Sequence, residues 1–210
     1  MYFNNFSPSL LCTGPPDSRR AHLWQFIVQV LIALLAGLVL VPANAENAGR
    51  FEVVAADYRL EDGMWLADAR VDLELSDQAL EALRNSVALT IQFQFEVNLS
   101  RPFWADKLIE SRRMNIELRY LSLSQRYIIR SLGSGEQESY ATLYSALRRI
   151  GKISNFAIVT ADKINPEDTY NVSLRAVLNR ETLPGPLQML AFWRGDYSLE
   201  SKWYRWKLKQ

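Results

Sequence analysis

The sequence predicts a mainly β protein, an antiparallel β-sandwich with two or three short helices. Three observations predict it. Apolar residues recur at every second position over long stretches, most clearly from Val87 to Leu99, and period two marks a half-buried strand. Turn signals rich in glycine, proline and acidic residues separate those stretches at short intervals. The strands also follow one another without long intervening helices, which disfavours a doubly wound α/β arrangement. An α+β antiparallel sheet with packed helices is the alternative.

Phe51 to Tyr58 reads as the first strand, and Glu61-Asp62-Gly63 as a turn. Trp65, Ala67, Ala69, Val71, Leu73 and Leu75 then alternate with Leu66, Asp68, Arg70, Asp72 and Glu74, a long strand with one face buried. Ser76 fits an N-cap for a helix over Asp77 to Arg84. Val87 to Leu99 places Phe93 and Phe95 on one face, where helical spacing would scatter them. Arg101-Pro102-Phe103-Trp104 interrupts it. Met114 to Leu121 and Arg126 to Ser131 are expected as neighbouring strands, with Gly133-Ser134-Gly135 as a turn and Glu138 to Tyr140 as a short return strand. Thr142 caps a helix running to Ile150, whose Leu143, Ala146, Leu147 and Ile150 form one stripe, and Gly151 stops it. Lys152 to Thr160 and Tyr170 to Leu178 are further strands. Leu183 to Pro186 is a connector, Leu187 to Trp193 one or two helical turns, Arg194-Gly195-Asp196 a turn, and Leu199 to Leu208 the last strand.

The first 45 residues differ in kind. Residues 1–22 read as a disordered basic N-terminal region, with Arg19 and Arg20 ahead of a 19-residue apolar run, Leu23 to Val41. Pro42 and the small-residue triplet Ala43-Asn44-Ala45 follow. That order is a secretory signal with cleavage near Ala45. The run is also close to bilayer-spanning length, so residues 23–45 have two readings, signal peptide core or transmembrane membrane anchor. Both place residues 46–210 in the periplasm, either released or held at the inner membrane. Ser9-Leu10-Leu11-Cys12 is rejected as a lipid-attachment site, because Leu11 is bulky and Cys12 precedes the apolar run.

The 165 residues that follow suffice for one domain with a core. Two of the 24 basic residues and one of the 23 acidic ones precede residue 46, so 22 of each remain, and nothing global attracts nucleic acid. His22 and Cys12, the single histidine and cysteine, lie in the leader. The exported part therefore has no disulfide, no histidine or cysteine zinc site, no thiol nucleophile and no Ser-His-Asp triad. No cofactor and no metal are expected. Asp162, Asn165, Glu167 and Asp168 do not follow the calcium-loop order and read as a solvated turn.

Several segments in combination resemble a bacterial family, domain of unknown function 4390. They are the leader, Leu121-Ser122-Leu123-Ser124-Gln125-Arg126-Tyr127, the helix Leu143 to Gly151, Leu187 to Trp193, and the ending Trp203-Tyr204-Arg205-Trp206. The resemblance implies an exported or membrane-anchored protein of Gram-negative bacteria, often encoded beside a sensor histidine kinase and an RNA methyltransferase. It supplies no catalytic or binding residues.

Two places carry candidate binding residues. Phe103 and Trp104, between Arg101 and Lys107, suit an exposed platform for a sugar or peptide, or core packing at a sandwich end. Trp203, Arg205 and Trp206, among Lys202, Lys207 and Lys209, suit a partner contact or a membrane-surface contact. Their other reading has Tyr204, Trp206 and Leu208 lining the core while the lysines protect a sheet edge. Asp68, Asp72 and Glu74 on one strand face, with Glu96 on another, could supply paired carboxylates for glycoside hydrolysis, and cross-strand basic partners would make them an ordinary polar surface. The expected function is a non-enzymatic cell-envelope interaction module tied to membrane signalling, its partner an envelope or inner-membrane protein such as a sensor histidine kinase. A small-ligand or glycan binding protein and a carboxylate-dependent hydrolase are the alternatives.

Overall fold

The computed structural model describes residues 47–179 and 199–208, together with Gln29. Among them are nine strands: β1 (Arg50–Glu61), β2 (Met64–Glu74), β3 (Leu89–Leu99), β4 (Lys107–Leu121), β5 (Arg126–Ser131), β6 (Gln137–Tyr140), β7 (Lys152–Thr160), β8 (Tyr170–Asn179) and β9 (Tyr204–Leu208). Two eight-residue helices, α1 (Asp77–Arg84) and α2 (Leu143–Ile150), join β2 to β3 and β6 to β7.

The strands form two antiparallel sheets, one of three strands in the order β1-β2-β7 and one of six in the order β6-β5-β4-β3-β8-β9. Their inner faces make the core of a β-sandwich. Leu89, Ile91, Phe93, Phe95 and Val97 of β3 are all buried, as period two requires, and meet Trp65, Ala67, Val71 and Val159 of the small sheet in one cluster. Phe95 stacks on Phe156 of β7 with ring centroids 4.8 Å apart. Helix α2 lies against β2, β5, β6 and β7, so it continues the small layer over the far strands of the large sheet.

Local chemistry explains both helices. The Ser76 hydroxyl accepts from the Ala79 amide at 3.2 Å, and that of Thr142 from the Ser145 amide at 3.2 Å, each satisfying an amide that has no partner within the helix. Gly151 ends α2 for a different reason from the left-handed stop its position suggests. Its φ is −71°, and a Cβ there would lie 2.0 Å from the Val71 carbonyl oxygen. The Gly151 carbonyl in turn accepts from the Val71 amide at 2.8 Å. Only glycine lets the helix end come this close to β2.

β4 begins at Lys107, seven residues before the expected start, because Lys107–Arg113 pairs with β3 on both sides of one shift at Ile109, although its side chains do not alternate by polarity. β9 is confined to Tyr204–Leu208, with a separate bridge between Val177 and Glu200. A 3-10 turn, Ala161–Lys163, follows β7. The expected elements at 183–186, 187–193 and 194–196 lie outside the described residues, as do residues 1–46 apart from Gln29.

The expectation of a transmembrane helix, and of an inner-membrane anchor, is corrected. No helix among the described residues is long and apolar enough to cross a membrane, and the two helices above span about 12 Å each at 1.5 Å per residue. The apolar run 23–41 that carried the expectation lies outside the described residues save for Gln29.

Candidate functional site

The β3–β4 connection, residues 100–106, is a short loop held from both ends. The Ser100 amide donates to the Thr169 carbonyl at 2.8 Å, fixing its start to the segment before β8. Arg101 then folds across the loop, its Nε and Nη2 donating to the Ala105 carbonyl at 3.0 and 2.5 Å. Inside this clamp Phe103 adopts a φ of 67°, a left-handed conformation uncommon for a bulky residue. The result is two aromatic side chains turned into solvent, Phe103 at 103% and Trp104 at 78% of full exposure. Leu108, at the start of β4, is also exposed.

The candidates at the C-terminal strand separate. Trp203 is half-buried, with the Arg175 guanidinium 4.6 Å from its ring centroid. Arg205 is exposed and pairs with Ser173, on the outer face of the large sheet. Trp206 pairs with the core residue Val172, is half-buried against the core, and meets Tyr204 at 5.9 Å between ring centroids. Its indole Nε1 is buried with no hydrogen-bond partner among the described residues. The structure therefore brings Phe103 and Trp104 together, and divides Trp203, Arg205 and Trp206 between two faces.

The acids also separate. Asp68 faces outward on the small sheet, Glu96 outward on the large one, with the core between them. Asp68 is engaged structurally: it accepts from the Arg59 guanidinium and, at 2.9 Å, from the amide of Asn155. Asn155, with φ 56°, occupies a bulge of β7 opposite Ala67–Ala69, so Asp68 receives an amide that the ladder leaves over. The same small sheet and α2 border an open groove of about 970 Å³, with Ala55, Val71 and Leu147 as apolar lining and Asp57, Tyr144 and Arg148 as polar rim.

Two other carboxylates are tuned by neighbours. Tyr140 donates to Glu138, which holds that carboxyl below its ordinary range, and Arg149 adds to the effect. Burial, and then the Glu138 carboxylate, raise the Tyr140 phenol. Lys163 donates to Glu110 at 2.5 Å and lowers it, with Arg112 at 3.0 Å contributing. Both are ion pairs of the kind that fix structure. The 162–168 segment is an Asx turn, in which Asn165 Oδ1 accepts from the Glu167 amide at 3.2 Å. Among the described residues no group of three or more His, Cys, Asp or Glu side chains is placed to hold a metal ion.

A chain of hydrogen bonds that sequence reading missed crosses the outer face of the large sheet. Arg175 Nε donates to Gln94 Oε1 at 2.8 Å, Gln94 donates to Gln92, and Gln92 Nε2 donates to Asn115 Oδ1 at 2.9 Å. The only available signal was the run of polar residues at alternate positions of β3, which gives their face and not their partners.

Against known proteins, the family model described as domain of unknown function (DUF4390) matches residues 48–207. No curated protein and no solved structure matches the chain.

Proposed function

We propose that this chain, which belongs to the DUF4390 family, is a non-enzymatic interaction module of the cell envelope that engages a protein partner through its β3–β4 loop. The observation that carries the reading is the clamped loop itself. Phe103 and Trp104 stand exposed on a connection whose backbone is already fixed by Arg101 and Ser100. Large aromatic side chains supply contact area at low entropic cost, and a preordered loop loses little freedom on binding. The family resemblance suggests a sensor histidine kinase of the envelope as the partner.

A photoreactive phenylalanine analogue placed at position 104 tests this in cells. The control is the same substitution at Leu123, which is also exposed and sits at the other end of the large sheet, in the β4–β5 turn. One defined adduct from position 104, absent from 123 and competed by the wild-type chain, is expected. Identical adducts from both positions, or none from 104, would sink the proposal.

A second reading rests on the groove beside α2. Its volume, about 970 Å³, is of a size that small ligands occupy, and its lining mixes apolar residues with a few charged ones. A small ligand or a glycan is the class this groove would take.

A further inference from the structure

Residue pairing assigns every side chain of the large sheet to one of two faces. The outer face carries Arg113, Arg175, Arg205 and Lys207 on strands β4, β8 and β9. Across the sheet it also carries Arg119, Arg126 and Arg130 on β4 and β5. Against these seven cations stand three anions, Glu96, Glu117 and Glu200. The outer face of the small sheet leans acidic: Glu52, Asp57, Glu61, Asp68, Asp72 and Glu74 against Arg50, Arg59, Arg70 and Lys152. The exported part as a whole has equal numbers of both signs, so the charge is not in excess but sorted.

The cations on this face are only partly neutralised. Arg119 pairs with Glu117 at 3.2 Å, and Arg175 meets Glu200 at 3.5 Å. Arg113, Arg130, Arg205 and Lys207 have no ion pair among the described residues, and all four are exposed. Strand spacing puts Arg113 and Arg175, one on either side of Gln94, about 10 Å apart, and spreads the basic field from β5 to β9 over about 19 Å. The grooves of about 970, 500 and 460 Å³ are lined by the small sheet with α2, by β1 with Glu200–Tyr204, and by the inner face with Arg149. The first and third lie away from the basic face, and the second reaches its edge, where Glu200 and Trp203 touch Arg175. A broad field of arginines with the single ring of Trp203 at its edge fits an extended anionic surface, whereas a single-stranded polymer needs a channel with several aromatic rings to stack on.

We propose that the outer face of the six-stranded sheet docks on an anionic lipid surface, with guanidinium groups meeting lipid phosphates. Arginine suits this because its planar fork donates two hydrogen bonds to one phosphate. The inference uses residues other than the β3–β4 loop, so each proposal stands or fails separately.

Sedimentation of the full chain with vesicles tests it. Vesicles of phosphatidylcholine alone are compared with equal mixtures of phosphatidylcholine and phosphatidylglycerol. The readout is the difference between the two, because apolar insertion contributes to both alike. The expected result is a preference for the anionic vesicles that weakens as salt is raised. The preference falls by about a hundredfold or more in Arg113→Glu/Arg205→Glu/Lys207→Glu and persists in Arg70→Glu, a reversal on the small sheet. If the triple variant does not fold, Arg205→Glu alone, on an exposed edge strand, is expected to lower the preference at least about fivefold, the worth of one surface cation. Equal binding to both vesicles overturns the proposal, as does a folded triple variant that binds like the wild type. Retention on immobilised polyglutamate with no anionic-vesicle preference also overturns it and assigns the face to an acidic protein.

Discussion

The three-stranded sheet contains three register shifts in its two ladders, whereas the six-stranded sheet contains one in five, between Val97 and Asn98. Each shift inserts an unpaired residue and sharpens the local twist. The small sheet is thereby bent over the core and tied down by individual side chains, as Asp68 does for the bulge at Asn155. The large sheet keeps continuous ladders apart from that shift, so alternation holds along most of its length and gathers basic residues on one face. Irregularity in one layer and regularity in the other therefore divide the labour: the first closes the core, the second presents a surface.

That division can be tested by deleting mass from each side of the interface. Phe93→Ala, in the large sheet where the ring is fully buried, is expected to cost about 3–5 kcal/mol in urea unfolding. Phe156→Ala, in the small sheet and only half-buried, is expected to cost less, under about 3 kcal/mol. Equal costs would erase the distinction between a regular core layer and a bent covering layer.

Gly151→Ala probes the covering layer at its tightest point. The added methyl meets the Val71 carbonyl oxygen, and overpacking of this kind costs about 1–3 kcal/mol. Amide exchange should quicken in β2 and α2 before it does in β3. Uniform acceleration would show that the two layers open as one.

The smallest expected effect concerns Glu110, on β4, whose partner Lys163 follows β7 and so bridges the sheets. Its carboxyl is held below the ordinary range chiefly by Lys163, with Arg112 adding to it. A carboxyl depressed by folding stabilises the native state above its unfolded pKa and ceases to do so as pH falls through the folded value. Wild type should therefore exceed Glu110→Gln in stability by up to about 1 kcal/mol near neutrality. The gap should close on acidification. A gap that widens in acid would reverse the sign and remove the assigned cause.

Most strands were legible because their burial follows period two. β5, β7 and α1 begin and end where alternation and the Ser76 cap place them. The start of β4 was not, because Lys107–Arg113 runs past the shelter of the small sheet and most of its side chains are exposed. Phe103 and Trp104 were visible as residues but not as exposed ones: aromatic rings after a buried strand suit a core equally well. Their exposure is set by the Arg101 clamp and the left-handed Phe103, which composition does not record. The basic face was hidden for another reason. Arg113, Arg175 and Arg205 are far apart in the chain and become neighbours only through the registers of β4, β3, β8 and β9.

One of the small sheet's irregularities also bears on self-association. β1 is twelve residues long and, among the described residues, pairs on one side only, with β2. A strand edge that carries no neighbour is a template on which a second copy can add. The shift between Val53 and Ala55 leaves Val54 out of step, so a flat incoming strand cannot match both halves of β1 in one register. The bulge that fits the sheet to its own core thus also limits chain-to-chain growth, and straightening it by deleting Val54 would trade a lost twist for an open polymerisation edge.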